Sequence, residues 1–185
     1  LIIDPSFNVS VDASTDTGRI SFETRNGVVL NSVNLETITG AVQANFVEDT
    51  IVTQDISIRT TTGALSLSWQ NVIVERDVAV DLRGVTGAAS VNIVQDERLQ
   101  KKVDLGVAVT TGAINLALTI SGNVAGRITS STTTGLIDVV RSDGFSPTTL
   151  SLARQLQSNN YPLDIRFDIN LQTTTGGIRI DARHT

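Results

Sequence analysis

The stretch Gln172 to Ala182 reads QTTTGGIRIDA, and it is echoed by TTTGLIDVV at Thr132 to Val140 and by TTTGALSLSW at Thr60 to Trp69. Aligned on its threonine-glycine pair, the same word recurs along the whole chain. The pairs are Thr17-Gly18, Thr39-Gly40, Thr62-Gly63, Thr86-Gly87, Thr111-Gly112, Thr134-Gly135 and Thr175-Gly176. The glycines are separated by 22, 23, 24, 25, 23 and 41 residues, so the last gap is one period plus an insertion. A fixed period of this length marks a repeat architecture.

The flanking residues agree with an alignment they did not define. Two residues after each glycine stand Ile20, Val42, Leu65, Ala89, Ile114, Ile137 and Ile178, and the next position but one is again apolar, from Phe22 to Ile180. Polar residues such as Ser21, Gln43 and Arg179 lie between them. Alternation with period two is the signature of a strand with one buried face. A second strand precedes the corner, with Val11, Val33, Ile56, Val80, Leu105, Ile128 and Ile169 seven residues before the glycine. Five residues before it the pattern holds everywhere except at Ser130. A third, more variable segment follows, as in NGVVL at Asn26 to Leu30.

Short strands in a 22 to 25 residue repeat cannot bury an inward face unless the repeats stack. The expected fold is therefore all-β: a single-stranded, right-handed parallel β-helix, or β-solenoid, of seven coils. It is read as one domain over residues 1–185, with ladders at about 4.8 Å and a length of about 30–35 Å. Each inward Val, Ile or Leu contributes about 1.5–3 kcal/mol. Glycine at the corner permits a turn that a Cβ resists, and threonine favours extended backbone and can bond along the stack. A sandwich or meander also explains the alternation, but not the constant spelling of one corner.

Composition narrows the function. Aromatic residues make up 4% of the chain, Cys and Met are absent, and 24 Thr and 16 Ser accompany the aliphatic residues. Without Cys there is no disulfide framework or cysteine zinc site. A net charge of −5 with two lysines, Lys101 and Lys102, argues against nucleic acid. No apolar run reaches the length of a membrane span. The opening LIIDPSF lacks an initiator Met and fits a processed protein or a fragment, with Leu1 to Ile3 read as a first strand.

The insertion at residues 141–162, RSDGFSPTTLSLARQLQSNNYP, carries a helix signal. Ser146 caps, Pro147 suits the first turn, Leu152, Ala153 and Leu156 share a side, and Asn159, Asn160 and Pro162 stop it. A short helix is expected here, covering a sheet edge or docking a partner through Phe145, Leu152, Arg154, Leu156 and Tyr161. At the end of the chain, Arg179, Asp181 and Arg183 would discourage edge pairing of the last repeat.

Catalytic chemistry finds little footing. Among the outward carboxylates Asp12, Asp81, Asp138 and Asp168 only Asp12 and Asp81 share a repeat position, and no compact cluster of Asp with Lys or Arg is expected to make a paired acid and base. The DERLQKKVD segment reads as a solvated charged loop, and His184 is the only histidine. Neither a catalytic triad nor a histidine metal site is expected, and no cofactor. Five repeats carry Thr-x-Thr before the glycine, an ice-binding pattern if it faced outward, but Gly84 and Val109 interrupt it.

The units TTTGAL, VTTGAI, TTTGLI and TTTGGI give the chain a family likeness. It resembles the putative-adhesin, or toast-rack, β-solenoid domains of bacteria and archaea over nearly its whole length apart from the insertion. That resemblance implies a right-handed single-stranded β-helix at the cell surface, often joined to a membrane anchor, without established catalytic residues. The expected function is a non-enzymatic structural or adhesive module that contacts other surface proteins, glycans or copies of itself. It would be extracellular and membrane-anchored through segments outside this chain. The alternative is a β-helix that binds or cleaves a polysaccharide.

Overall fold

The computed structural model describes residues 8–96, 98–149 and 154–185, so Leu1 to Ile3 and the pair Leu152 and Ala153 lie outside the described residues. Repeat one supplies β1 (Asn8–Thr17) and β2 (Ile20–Glu23); repeat two supplies β3 (Val29–Thr39), β4 (Val42–Phe46) and β5 (Ile51–Val52). Repeat three gives β6 (Ile56–Thr62), β7 (Leu65–Gln70) and β8 (Ile73–Val74). β9 (Val78–Thr86) and β10 (Ala89–Gln95) form repeat four, and β11 (Val103–Thr111) and β12 (Ile114–Ile120) form repeat five. Repeat six is β13 (Ala125–Thr134) and β14 (Ile137–Asp143), followed by β15 (Phe145–Thr149) and β16 (Arg154–Ser158). β17 (Arg166–Thr175) and β18 (Ile178–His184) close the chain.

These strands form two sheets. The strands before each corner make an eleven-stranded sheet with β5, β8, β15 and β16, and the strands after each corner make a seven-stranded sheet. Pairing between repeats is parallel throughout, in a register that places each corner threonine beside the next, as in Thr39↔Thr62 and Thr62↔Thr86. Alternation sends Leu35, Ile58, Leu82, Val107 and Leu171 inward from the long sheet and Leu67, Val91, Leu116 and Ile180 inward from the short one. All of them belong to one continuous core. The few aromatic rings run through that core as a chain: Phe22 to Phe46 at 5.7 Å, Phe46 to Trp69 at 5.7 Å and Trp69 to Phe167 at 6.3 Å.

Stacking order departs from sequence order at one place. In the long sheet β17 lies between β11 and β13, and in the short sheet β18 lies between β12 and β14. The seventh repeat is thus inserted between the fifth and the sixth. The corner bonds follow the same path: Gly87 donates to Thr111, Gly112 to Thr175 and Gly176 to Thr134. Arg179, Asp181 and Arg183 therefore do not guard an edge. They lie on an interior strand, where Arg183 pairs with Asp181 at 3.3 Å and Arg141 approaches Asp181 at 3.9 Å.

The expected helix does not form, and the described residues contain none. Instead β15 and β16 make an antiparallel hairpin, and β16 pairs antiparallel with β13. Two facts explain the outcome. Gln155, Leu156, Gln157 and Ser158 alternate with period two, with Leu156 and Ser158 inward. The open edge of β13 also offers backbone partners that an isolated short helix would forgo. Pro147, which lacks an N–H, sits on the outermost strand, where the ladder needs no donor on its free side. Ser130, the one break in the inward pattern, is fully buried and donates its hydroxyl to Arg154 O at 3.1 Å.

The corner glycines have φ between +129° and +153°. A Cβ on Gly40, Gly63 or Gly87 would lie 1.7 Å from the carbonyl oxygen of the preceding glycine in the stack, and on Gly112 1.5 Å. Gly18, at the end of the stack, would meet nothing within 4 Å. Gly63→Ala is accordingly expected to cost more than about 4 kcal/mol or to abolish folding, because backbone must move. Gly18→Ala should cost only about 1–3 kcal/mol, the strain of its φ alone. Thermal unfolding of the two variants checks the difference; equal losses would sink the close-packing account.

Candidate functional site

The Thr-Thr-Thr-Gly corner divides its threonines between inside and outside. The first is inward: Thr37, Thr60 and Thr173 are all buried. Its hydroxyl donates to the carbonyl of the glycine one strand earlier in the stack, Thr60 to Gly40 at 3.2 Å, Thr173 to Gly112 at 3.2 Å and Thr132 to Gly176 at 3.1 Å. A buried carbonyl without a donor is costly, so this threonine is structural. The two-column Thr-x-Thr array expected of an ice-binding surface is therefore not built, because only the corner threonine of each pair faces outward. Between the corner threonine and the buried one, the exposed row runs Asp16, Ile38, Thr61, Val85, Thr110, Thr174 and Thr133 and mixes charged, apolar and hydroxyl side chains.

The outer face of the long sheet holds two charge clusters, each an Asp–Arg pair two residues apart on one strand joined by an arginine of another strand. Register places Asp81 of β9 opposite Ser57 of β6, and Arg83 opposite Arg59. Asp81 accepts from Arg83 at 2.7 Å and lies 3.9 Å from Arg59. Two strands further along, Asp168 of β17 is nearly enclosed, its side chain 13% exposed. It binds Arg166 at 2.9 Å and Arg127 of β13 at 3.1 Å, and accepts from the Tyr161 hydroxyl at 3.2 Å. Arg127 also covers the Tyr161 ring, 5.1 Å from its centroid. The hydrogen bond to Asp168 raises Arg166 above the usual arginine range, and that to Asp104, at 2.7 Å, raises Lys102 above the usual lysine range.

These clusters contradict the expectation that no compact grouping of Asp with Arg exists. The second forms because β17 enters between β11 and β13, which brings Asp168 beside Arg127. Asp12 instead accepts from Asn34 at 3.0 Å, and Asp138 stands exposed on β14. The DERLQKKVD segment is tied down at both described ends of its charge run. Arg98 bonds Glu48 and Asp49, Leu99 is fully buried and bridges to Val74, and Lys102 N donates to the Asp77 carboxylate at 3.1 Å. His184 is held at 3.1 Å from Val124 O and 3.2 Å from the Asn160 amide.

Of the insertion residues, Phe145 and Leu156 are buried in the core. Tyr161 serves the Asp168 cluster, Arg154 is exposed on β16, and Leu152 lies outside the described residues. The corner set, Thr17-Gly18 to Thr175-Gly176, stands in one continuous row at the end of the long-sheet strands. Among the described residues no three or more His, Asp or Glu side chains gather as metal ligands. No helix of the described residues is long and apolar enough to cross a membrane.

The class defined by this architecture is an all-β repeat protein built on two largely parallel sheets. No family model matches the chain, and no curated protein matches it. Among solved structures it is similar to a putative cell adhesion protein from Clostridium sporogenes, with a TM-score of 0.55 over 99% of this chain and 97% of that one. The two are 8% identical, so the likeness is one of fold.

The Asp168 cluster gives a direct test of its structural weight. Asp168→Ala leaves Arg127 and Arg166 facing each other without a carboxylate, and is expected to cost about 2–3 kcal/mol. Asp138→Ala on the exposed edge should stay within about 0.5 kcal/mol of the parent. Urea unfolding of both variants measures the contrast.

Proposed function

We propose that this chain is a rigid, non-enzymatic adhesive module of the cell surface, and that it works through the outer face of the long sheet. In this reading it is a β-solenoid whose sixth and seventh coils are exchanged in the stack. Its right-handedness follows from the strong preference of parallel crossover connections for that hand. The observation that carries the functional reading is the outer face itself. It is a broad polar surface on a stiff stack of parallel strands, and its two charge clusters are closed by arginine. Asp81 and Asp168, the carboxylates best placed for chemistry, are each held by two guanidinium groups, so their oxygens are already engaged within the protein. The fold likeness to a protein described as a putative cell adhesion protein supports the adhesive role and a surface location.

Contacts between copies are expected to be lateral. At one end of the stack the hairpin β15–β16 covers β13, and its antiparallel strands do not continue the parallel ladder that a second copy's β1 would need. A hairpin placed this way acts as an edge cap.

Beads coated with the purified chain should adhere to bacterial or host cell surfaces above uncoated beads, without release of reducing sugar or peptide into the medium. Light scattering across concentration should show no end-to-end growth. Released product would overturn the non-enzymatic reading, failure to adhere to any surface tested would overturn the adhesive one, and filaments would overturn the capped end.

A further inference from the structure

Between the two Asp–Arg clusters the outer face is hollow. β11 presents Gly106 and Ala108 outward, where its neighbours present Asp81 and Arg83 on β9 and Asn170 and Gln172 on β17. Two adjoining hollows, of 520 Å³ and 840 Å³, lie over this strand and share Arg83, Ser131 and Gln172 in their walls. The trough follows β11 from Asp104 to Thr110, about 20 Å at the rise of an extended strand.

Nothing in the fold requires glycine at 106. Its φ is not positive, unlike those of the corner glycines, and a Cβ there would meet only Asp81 Oδ1, at 3.4 Å. Other repeats carry Asp12, Asn34, Ser57, Asp81, Asn170 and Thr129 at this position. Glycine inside a strand weakens it, and where the backbone makes no demand it marks a place where something approaches closely.

The walls say what kind of ligand fits. Both backbone edges of β11 are paired, to β9 and β17, so a peptide cannot add as a strand, and recognition falls to side chains. Those side chains are amides, hydroxyls and planar Arg–Asp pairs. Apart from Glu36 at one end, each carboxylate beside the trough has a cation in contact: Asp81 has Arg83, Asp104 has Lys102, and Asp168 has Arg127 and Arg166. A strongly charged ligand finds no opposite field there. A hydroxyl-rich neutral one finds fixed donors and acceptors in the walls and a flat apolar floor in the Gly106 Cα and the Ala108 methyl.

The geometry points to the trough over Gly106 and Ala108 as the binding site for a neutral, unbranched glycan strand. This rests on the adhesive reading and names its ligand class and its seat. Gly106→Gln fills the floor while leaving the corner and the core untouched, and Asn170→Ala removes a wall amide.

The test is a panel of immobilised neutral and uronic-acid glycans, followed by calorimetry with the neutral oligosaccharides retained, alongside the bead assay. The wild-type chain is expected to bind neutral glycans with little change between low and high salt. Gly106→Gln should weaken binding at least tenfold with an unchanged or higher Tm, and Asn170→Ala should weaken it with an unchanged Tm. The inference is overturned by binding to uronic-acid glycans alone, by loss of binding in high salt, or by neutral-glycan binding that both variants leave intact. If coated beads adhere but no neutral glycan binds, the ligand assignment fails and the adhesive reading stands. If they neither adhere nor bind, both fail.

Discussion

Everything in this molecule depends on how closely the repeats approach at one corner. A Cβ on an interior corner glycine would lie 1.5 to 1.9 Å from a neighbouring carbonyl oxygen, well inside any permitted contact. That clearance lets the glycine N–H reach the threonine carbonyl of the next strand at 2.8 to 2.9 Å, and lets the chain pass from the long sheet to the short one at the same place in every repeat. With the corner fixed, register is fixed too, because a slip of one residue would turn every inward side chain outward. The inward threonine adds a second bond at the same place, its hydroxyl supplying the donor that the glycine carbonyl lacks.

This explains why so much of the fold is legible in the sequence. The corner leaves no freedom in residue type, so it writes the same two letters each time, and strand alternation on either side follows from burial. Ser130 looked like a flaw and is instead the inward residue that meets the hairpin backbone. What was not legible has a common cause. The repeats are locally equivalent, so their pattern carries no information on which repeat neighbours which. The interleaving of β17 and β18 is invisible for that reason, and so is the cluster of Asp168 with Arg127 that it creates.

The hairpin was misread for a different reason. Ser146 and Pro147 are good helix starters, and Leu152, Ala153 and Leu156 have helical spacing. Local preference of this kind is worth little against an adjacent edge strand with unpaired backbone groups. Phe145 and Leu156 reach the core from strands rather than from a helix, and the apolar character that suggested a docking face is spent on the protein's own interior. Polar outer-face residues were equally hard to weigh. Gly106 attracts notice only once its φ and open surroundings separate it from the corner glycines.

The exchanged order of the last two repeats bears on how the chain is made. Synthesis delivers the N-terminal part first. Repeat six therefore emerges while the exposed edge of β11 and β12 is still vacant, and its Thr134-Gly135 corner carries the same letters as the rightful occupant, Thr175-Gly176. Early docking of β13 on β11 would satisfy the ladder locally and shut out β17. The native arrangement pairs Val107 with Leu171, far apart along the chain, and must wait for the C-terminus to arrive. Long-range pairing of this kind is slow. The hairpin that follows repeat six covers only the far edge of β13, so the edge that β17 takes must stay open, or reopen, until the final strands arrive.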